Sequence, residues 1–260
     1  MTPDMPLLVF TDLDGTLLSH SDYRWDAALP ALEHLANIGA GVVLASSKTA
    51  PEISALRQEM RLEKWPTIVE NGAGLLAPQV QAIADFSIYA QLRAVLAHTS
   101  ANLREKFCGF GDMDVAQVAD LTSLSPSASA LAKQRAFSEP GAWSGTSQEK
   151  AKFLEELAAQ GVAGREGGRF LTLSFGATKA DQMAQIIDDL APCHTIALGD
   201  APNDVEMLET ADFGVIIANP HSAQLPLLEG ETKGQITRTR RAGPEGWNAA
   251  IMAHLARLKL

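Results

Sequence analysis

The sequence predicts an α/β fold, with a mostly parallel sheet core, helices on both faces and an inserted second domain of α+β character. Three observations predict it. Short unbroken apolar runs at residues 7–10 (LLVF), 41–45 (GVVLA), 67–70 (TIVE), 194–198 (HTIAL) and 213–217 (FGVII) have the length and composition of strands buried on both faces. Helical patterns alternate with these runs, which is the rhythm of βαβ units. The rhythm stops near Ile83 and returns near Lys179. The core is therefore read as residues 1–82 and 177–260, and the inserted domain as 83–176.

The elements follow in order. Asp26 is placed to cap a helix reaching Ile38, with Leu29, Leu32, Leu35 and Ile38 on one face and Gly39 as its stop. Thr49 and Glu52 have the spacing of a capping box, so a helix begins directly after the second strand. In the inserted domain, helices are expected over residues 88–106 and 149–160, with a strand at 170–175. Ser125 before Pro126 marks a helix start, and Thr146 with Glu149 forms a second capping box. Helices over 179–190, from Pro202 to Thr210 and over 247–258 complete the chain.

Bulk properties narrow the function. The 260 residues carry a formal net charge of −10 and are 46% hydrophobic, enough for real cores. That charge disfavours a nucleic acid partner, and the short basic group Arg238, Arg240 and Arg241 reads as solvated surface. No apolar run approaches the roughly 18 residues of a membrane span, and the first ten residues lack the features of an export signal. The two cysteines, Cys108 and Cys193, have neither metal-ligand nor disulfide spacing. A cytoplasmic protein is expected, with a small molecule rather than a protein, membrane or nucleic acid as its partner.

The predicted strand ends carry the chemistry. Asp12 and Asp14 follow the first strand, Ser46 and Lys48 the second, Asn71 the third, and Asp200 and Asp204 the fourth. In an open α/β sheet the ligand crevice lies outside these carboxyl ends. Carboxylates gathered there repel one another unless protonated or bridged by a cation, and an oxygen-only donor set favours Mg2+ over Zn2+. Asp12, Asp14, Asp200 and Asp204 are the candidate metal residues; Asp204 is alternatively an acid behind the ligands or a favourable charge in a first helical turn. A metal of this kind attracts phosphate, whose oxygens Ser46 and Lys179 are placed to hold. Asp12 is then the candidate nucleophile, forming an aspartyl-phosphate, and Asp14 the acid and base.

Taken in order, Asp-Leu-Asp-Gly-Thr at 12–16, Ser46, Lys179 and Gly-Asp-Ala-Pro-Asn-Asp at 199–204 resemble the four motifs of haloacid dehalogenase-type phosphatases. The resemblance implies a Rossmann-like core, magnesium on the carboxylates of Asp12 and Asp200 and the main-chain carbonyl of Asp14, and a cap domain. The chain is more specifically similar to mannosyl-3-phosphoglycerate phosphatases, through SSKT at 46–49, VENGA at 69–73, RAFSEP at 135–140, GGRFLTL at 167–173 and GPEGW at 243–247. That similarity implies a phosphosugar substrate recognised by the cap, with Arg135, Glu139 and Arg169 as candidates for binding it beside Lys48 and Asn71 at the strand ends. Alternatives are the glucosyl substrate, another sugar-phosphate phosphatase or phosphotransferase of this fold, and a non-catalytic phosphosugar-binding regulator.

Overall fold

The computed structural model describes residues 5–167 and 170–260; Arg169, one of the candidate binding residues, lies outside them. In chain order the elements are β1 (Leu8–Thr11), α1 (Leu29–Asn37), β2 (Gly41–Ala45), α2 (Ala50–Glu59), β3 (Thr67–Val69) and β4 (Gly74–Leu76). Next come α3 (Ser87–His98), α4 (Ala101–Arg104), β5 (Phe107–Gly109), α5 (Val115–Thr122), α6 (Pro126–Ala132), β6 (Ser138–Trp143), α7 (Ser147–Ala158), β7 (Ala163–Gly167) and β8 (Phe170–Ser174). The chain ends with α8 (Lys179–Leu190), β9 (Thr195–Gly199), α9 (Val205–Thr210), β10 (Phe213–Ala218), α10 (Glu229–Thr232), β11 (Ile236–Ala242) and α11 (Gly243–Leu258). Two compact units result, one of Met1–Ser46, Lys64–Ile68 and Lys179–Leu260, the other of Ser47–Glu63 and Val69–Thr178.

In the first unit the strands run in the order β11-β10-β9-β1-β2-β3, and the pairings β10 to β11, β9 to β10, β1 to β9, β1 to β2 and β2 to β3 are all parallel. The predicted α/β core is observed. Leu7, Leu8, Val9 and Phe10 have no exposed surface, as expected of a strand with neighbours on both sides and apolar matter on both faces. The chain steps one way from β1 to β2 and β3, and the other way through β9, β10 and β11. The tip of β1 is thus the topological switch point, where the flanking connections diverge and leave a crevice.

Local sequence accounts for most boundaries. The side chain of Thr49 accepts from the Glu52 amide while the Glu52 carboxylate accepts from the Thr49 amide, so the expected box opens α2. Thr146 and Glu149 do the same for α7, and Ser125 caps α6. The helix expected from Asp26 begins differently. Residues 26–28 form a 3-10 turn, α1 proper starts at Leu29 with Pro30 in its first turn, and Asp26 pairs with Arg24 at 2.8 Å instead of capping. A proline tolerates that position because the first amides of a helix have no partner inside it. The span expected as one helix over 88–106 is broken at Thr99 and Ser100. There the Ser100 amide and hydroxyl both donate to Glu156, a partner 56 residues away.

The second unit contains a four-stranded sheet in the order β5-β6-β8-β7, antiparallel throughout. One face packs on α3 and α7 through Leu92, Leu96, Phe153, Leu157, Leu171 and Leu173. Glu139 pairs with Leu173 across β6 and β8, so it shares this helix-covered face. A smaller cluster joins α5 and α6 through Phe110, Val118 and Ala132, with Phe170 against it. Among the described residues no helix is long and apolar enough to cross a membrane.

Candidate active site

The first unit gathers Asp12, Lys179, Asp200 and Asp204 at the tips of β1 and β9 and the start of α8. Asp12 follows β1, and its amide donates to the Leu198 carbonyl at 2.9 Å, carrying the parallel ladder one residue past the strand. Gly15 then turns the chain with φ of 83°. A Cβ there would lie 2.4 Å from Nδ2 of Asn219 and 3.1 Å from Oδ2 of Asp200, so only glycine allows the loop to close on Asp200. Asp14 is half-buried in this turn, and its backbone bridges to Leu18.

Lys179 is the first residue of α8 and is 2% exposed. Its Nζ lies 2.6 Å from Oδ1 of Asp12 and 2.7 Å from Oδ1 of Asp204. Burial alone would lower the ammonium's pKa, but these two carboxylates more than reverse that and hold the proton on. The other oxygen of Asp204 accepts the amides of Asp200 and Ala201, each at 3.1 Å, so this acid fixes the turn after β9 as well as the lysine. Gly199 leaves room for it, since a Cβ at that position would meet the Asp204 side chain at 2.4 Å.

Each oxygen of Asp200 has a donor of its own. The Thr16 hydroxyl donates to Oδ1 at 2.6 Å and the Asn219 amide to Oδ2 at 2.8 Å. Ligand oxygens of Asp12, Asp200 and Asp204 lie within 4.8 Å of one another, and all three acids are buried. Burial pushes Asp12 up to about 8 even with Lys179 beside it, and the charges of Asp204, Asp14 and Asp200 push the same way. Asp200 is also raised, by burial first and then by Asp204, against the opposing hydrogen bonds of Thr16 and Asn219. An oxygen-only pocket in which burial and mutual repulsion disfavour the charged forms of Asp12 and Asp200 fits a hard divalent cation, which would relieve both. Asp12, Asp200 and Asp204 are grouped closely enough to hold one, and Asp204 also fixes the turn after β9.

The remaining predicted residues are placed as follows. Ser46 is fully buried just past β2, its amide donating to the Ile68 carbonyl. In the second unit, the Lys48 carbonyl accepts from the Glu70 amide, and Asn71 lies in a left-handed turn with φ of 58°. Arg135 is 7% exposed, with its guanidinium directed to Glu70, Ser138 and the Ser47 carbonyl. Glu139 is fully buried, taking the Tyr89 hydroxyl and the Gly111 amide, with Arg93 at 3.5 Å. Sequence reasoning did not select Asn219, Thr11 or Trp247. Asn219 sits directly past the apolar strand β10, so the strand-end rule applied to that strand finds it. Trp247 gives no local signal: its indole donates to the Thr11 hydroxyl at 3.0 Å, and Thr11 donates to the Asp12 carbonyl, across 236 residues of sequence.

The profile of the haloacid dehalogenase-like hydrolases matches residues 9–135 and 144–225, most of the chain and all of the acidic cluster. The chain belongs to that family. Solved structures with the same fold include the sucrose-phosphatase of Synechocystis sp. PCC6803 in complex with sucrose and phosphate, at 16% identity and a TM-score of 0.63 over 99% of each chain. The phosphatase BT1666 of Bacteroides thetaiotaomicron matches at 17% identity and a TM-score of 0.65, covering 98% of this chain and 96% of its own. The subclass IIB sugar phosphatase BT4131 matches at 19% identity and a TM-score of 0.61, covering 96% and 98%. This member of the haloacid dehalogenase-like hydrolases therefore carries the family's fold with its acids assembled at the β1 and β9 tips.

Proposed function

We propose that this hydrolase is a magnesium-dependent phosphomonoesterase acting on a phosphosugar, with mannosyl-3-phosphoglycerate as the leading substrate. The observation that carries the reading is the buried Lys179 set between Asp12 and Asp204, with Asp200 fixed by Thr16 and Asn219 beside them. Such an arrangement supports Asp12 as the nucleophilic carboxylate, with the positive charge of Lys179 beside it to compensate an anionic phosphoryl group. Magnesium, when bound by Asp12, Asp200 and the Asp14 carbonyl, supplies electrostatic stabilisation of phosphoryl oxygens.

The residues of the chain perform the rest. An Asp12 oxygen forms a bond to phosphorus as the bond from phosphorus to the alcohol oxygen breaks. Asp14 donates the proton that the departing alcohol takes. Water then attacks the aspartyl-phosphate, Asp14 takes its proton, and inorganic phosphate leaves with Asp12 restored. Lys179 and the Ser46 hydroxyl stabilise the charge on the equatorial oxygens. Lys48 and Asn71 are the proposed contacts to the remainder of the substrate, and residues 83–176 the proposed specificity cap.

The sugar is supported by the segments SSKT, VENGA, RAFSEP and GPEGW, which resemble mannosyl-3-phosphoglycerate phosphatases, and by the sugar phosphatases among the similar folds. Phosphate release from mannosyl- and glucosyl-3-phosphoglycerate by the purified protein with Mg2+ tests it. The expected result is turnover of both with the higher kcat/KM for the mannosyl compound, abolished in Asp12→Asn. A higher value for another phosphosugar overturns the substrate assignment, and full activity in Asp12→Asn overturns the mechanism.

A further inference from the structure

Three of the segments that carry the closer resemblance meet at one buried residue. Glu70, from VENGA, is 2% exposed, and its carboxylate accepts from three consecutive backbone amides of RAFSEP: Ala136 at 2.8 Å, Phe137 at 3.2 Å and Ser138 at 2.7 Å. The Ser138 hydroxyl adds a fourth bond at 2.7 Å, and Nε of Arg135 lies 3.2 Å away. Successive amides converging on one point form a cradle for an anion, and here the chain fills the cradle with its own carboxylate.

The same residue reaches the SSKT turn in two ways. Its amide donates to the Lys48 carbonyl at 3.0 Å, and its ion-pair partner Arg135 donates through Nη1 to the Ser47 carbonyl at 3.3 Å and through Nη2 to Ser138 at 2.7 Å. Glu70 and Asn71 have φ of 52° and 58°, followed by Gly72 at 92°. Two successive non-glycine residues in the left-handed region are unfavourable unless surrounding contacts impose them, and such turns gather at functional sites. The contacts of Glu70 are of that kind.

We infer that Glu70 and Arg135 are positioning residues that lock together the Ser47–Lys48 turn, the Asn71 turn and residues 135–138, and so set the places of Lys48 and Asn71. Arg135 acts through this lock and not by touching substrate. The inference rests on the phosphatase reading for its functional consequence, while the lock itself is measurable without turnover.

The test compares wild type with Glu70→Gln, the milder Ser138→Ala and Arg135→Lys, using mannosyl-3-phosphoglycerate and p-nitrophenyl phosphate, which offers a phosphoryl group and no sugar. Displacing the binding turns raises KM for the phosphosugar by about tenfold or more in Glu70→Gln, with kcat within about twofold and p-nitrophenyl phosphate kinetics unchanged. Ser138→Ala, which removes the hydroxyl's bond to Glu70 and the one it accepts from Arg135 but leaves the three backbone amides on the carboxylate, gives a smaller rise in the same direction. Equal losses on both substrates, or no change in KM, overturn the inference, since a merely structural Glu70 affects both alike. If wild type cleaves p-nitrophenyl phosphate but no phosphosugar, the substrate reading fails on its own. Hydrogen exchange then decides: amides of Ala136, Phe137 and Ser138 exchanging at least about tenfold faster in Glu70→Gln support the lock, and unchanged rates overturn it.

Discussion

Asp200 is held by a hydroxyl on one oxygen and a carboxamide on the other, so its orientation is set before any cation arrives. Groups that orient a metal's carboxylates are typically worth about 10–100-fold in metal affinity. Thr16→Val and Asn219→Ala are accordingly expected to raise the Mg2+ concentration for half-maximal activity into that range, and to shrink the Mg2+-dependent rise in melting temperature. Lys179 makes a different demand. Its removal as Lys179→Met takes the ammonium from the fully buried Asp204 as well as from Asp12, and breaking a buried pair of this kind costs about 3–5 kcal/mol. Urea unfolding of the metal-free variant, at neutral pH, measures that loss, and added Mg2+ recovers part of it. At this scale the sequence was informative about position: Asp12, Ser46 and Asp200 stand directly past β1, β2 and β9, at the strand ends where the apolar runs put them. Trp247 could not be placed in this way, because its role depends on a hydrogen bond to Thr11 that only the folded helix α11 creates.

Elements were legible where their punctuation is local. The boxes at Thr49 and Thr146 and the cap at Ser125 depend on three neighbouring residues, and each opens the helix expected. Strand β11 was missed, since Thr-Arg-Thr-Arg-Arg reads as solvated surface. It is solvated for much of its length, and β10 alone draws it into the sheet, as is usual for charged edge strands. Helix α11 covers this edge and carries His254, whose Nδ1 is buried without a hydrogen-bond partner among the described residues. Burial lowers the imidazole's pKa, and Arg257 lowers it further, while the Phe213 ring lies 5.2 Å away. A histidine depressed in the fold contributes stability that is complete above its unfolded pKa of about 6.5 and is lost as pH falls through the folded value. Stability should therefore decline below pH ~6.5 by at most ~1.4 kcal/mol per pH unit from this residue. His254→Leu removes that slope and, by deleting an unsatisfied buried nitrogen, is neutral or stabilising at pH 7. Denaturant titrations at several pH values compare the two proteins; an unchanged acid slope would count against His254 as its source.

For the whole molecule, the parallel core could be read from its alternating apolar runs, whereas the unit containing β5 to β8 could be read only in part. Its strands are short, and residues such as Glu139 and Arg135, polar in sequence, are buried by partners far along the chain. The same burial of polar groups ties the protein's stability to the protonation of its acidic cluster. Burial pushes Asp12 up to about 8 and Asp200 in the same direction, so both give up a proton less readily in the fold than in the unfolded chain, where release comes near pH 4. Their contribution is fully present below the unfolded pKa and is lost as pH rises through the folded value, so these two acids weaken the metal-free protein as pH rises from about 4 to about 8, against the opposite slope of His254 below pH ~6.5. Lys179, raised by the same neighbours, favours the fold throughout this window and does not reverse the sign. Magnesium has to displace the Asp12 proton, so its affinity should climb by up to about tenfold per pH unit from pH 6 toward pH 8. Calorimetric titration with Mg2+ in buffers of different ionisation enthalpy reads the protons released directly. Close to one proton per ion is expected from Asp12 at pH 7, falling toward zero at pH 9, so Asp12→Asn is expected to release about one fewer than wild type; equal release in wild type and Asp12→Asn would place the displaced proton elsewhere.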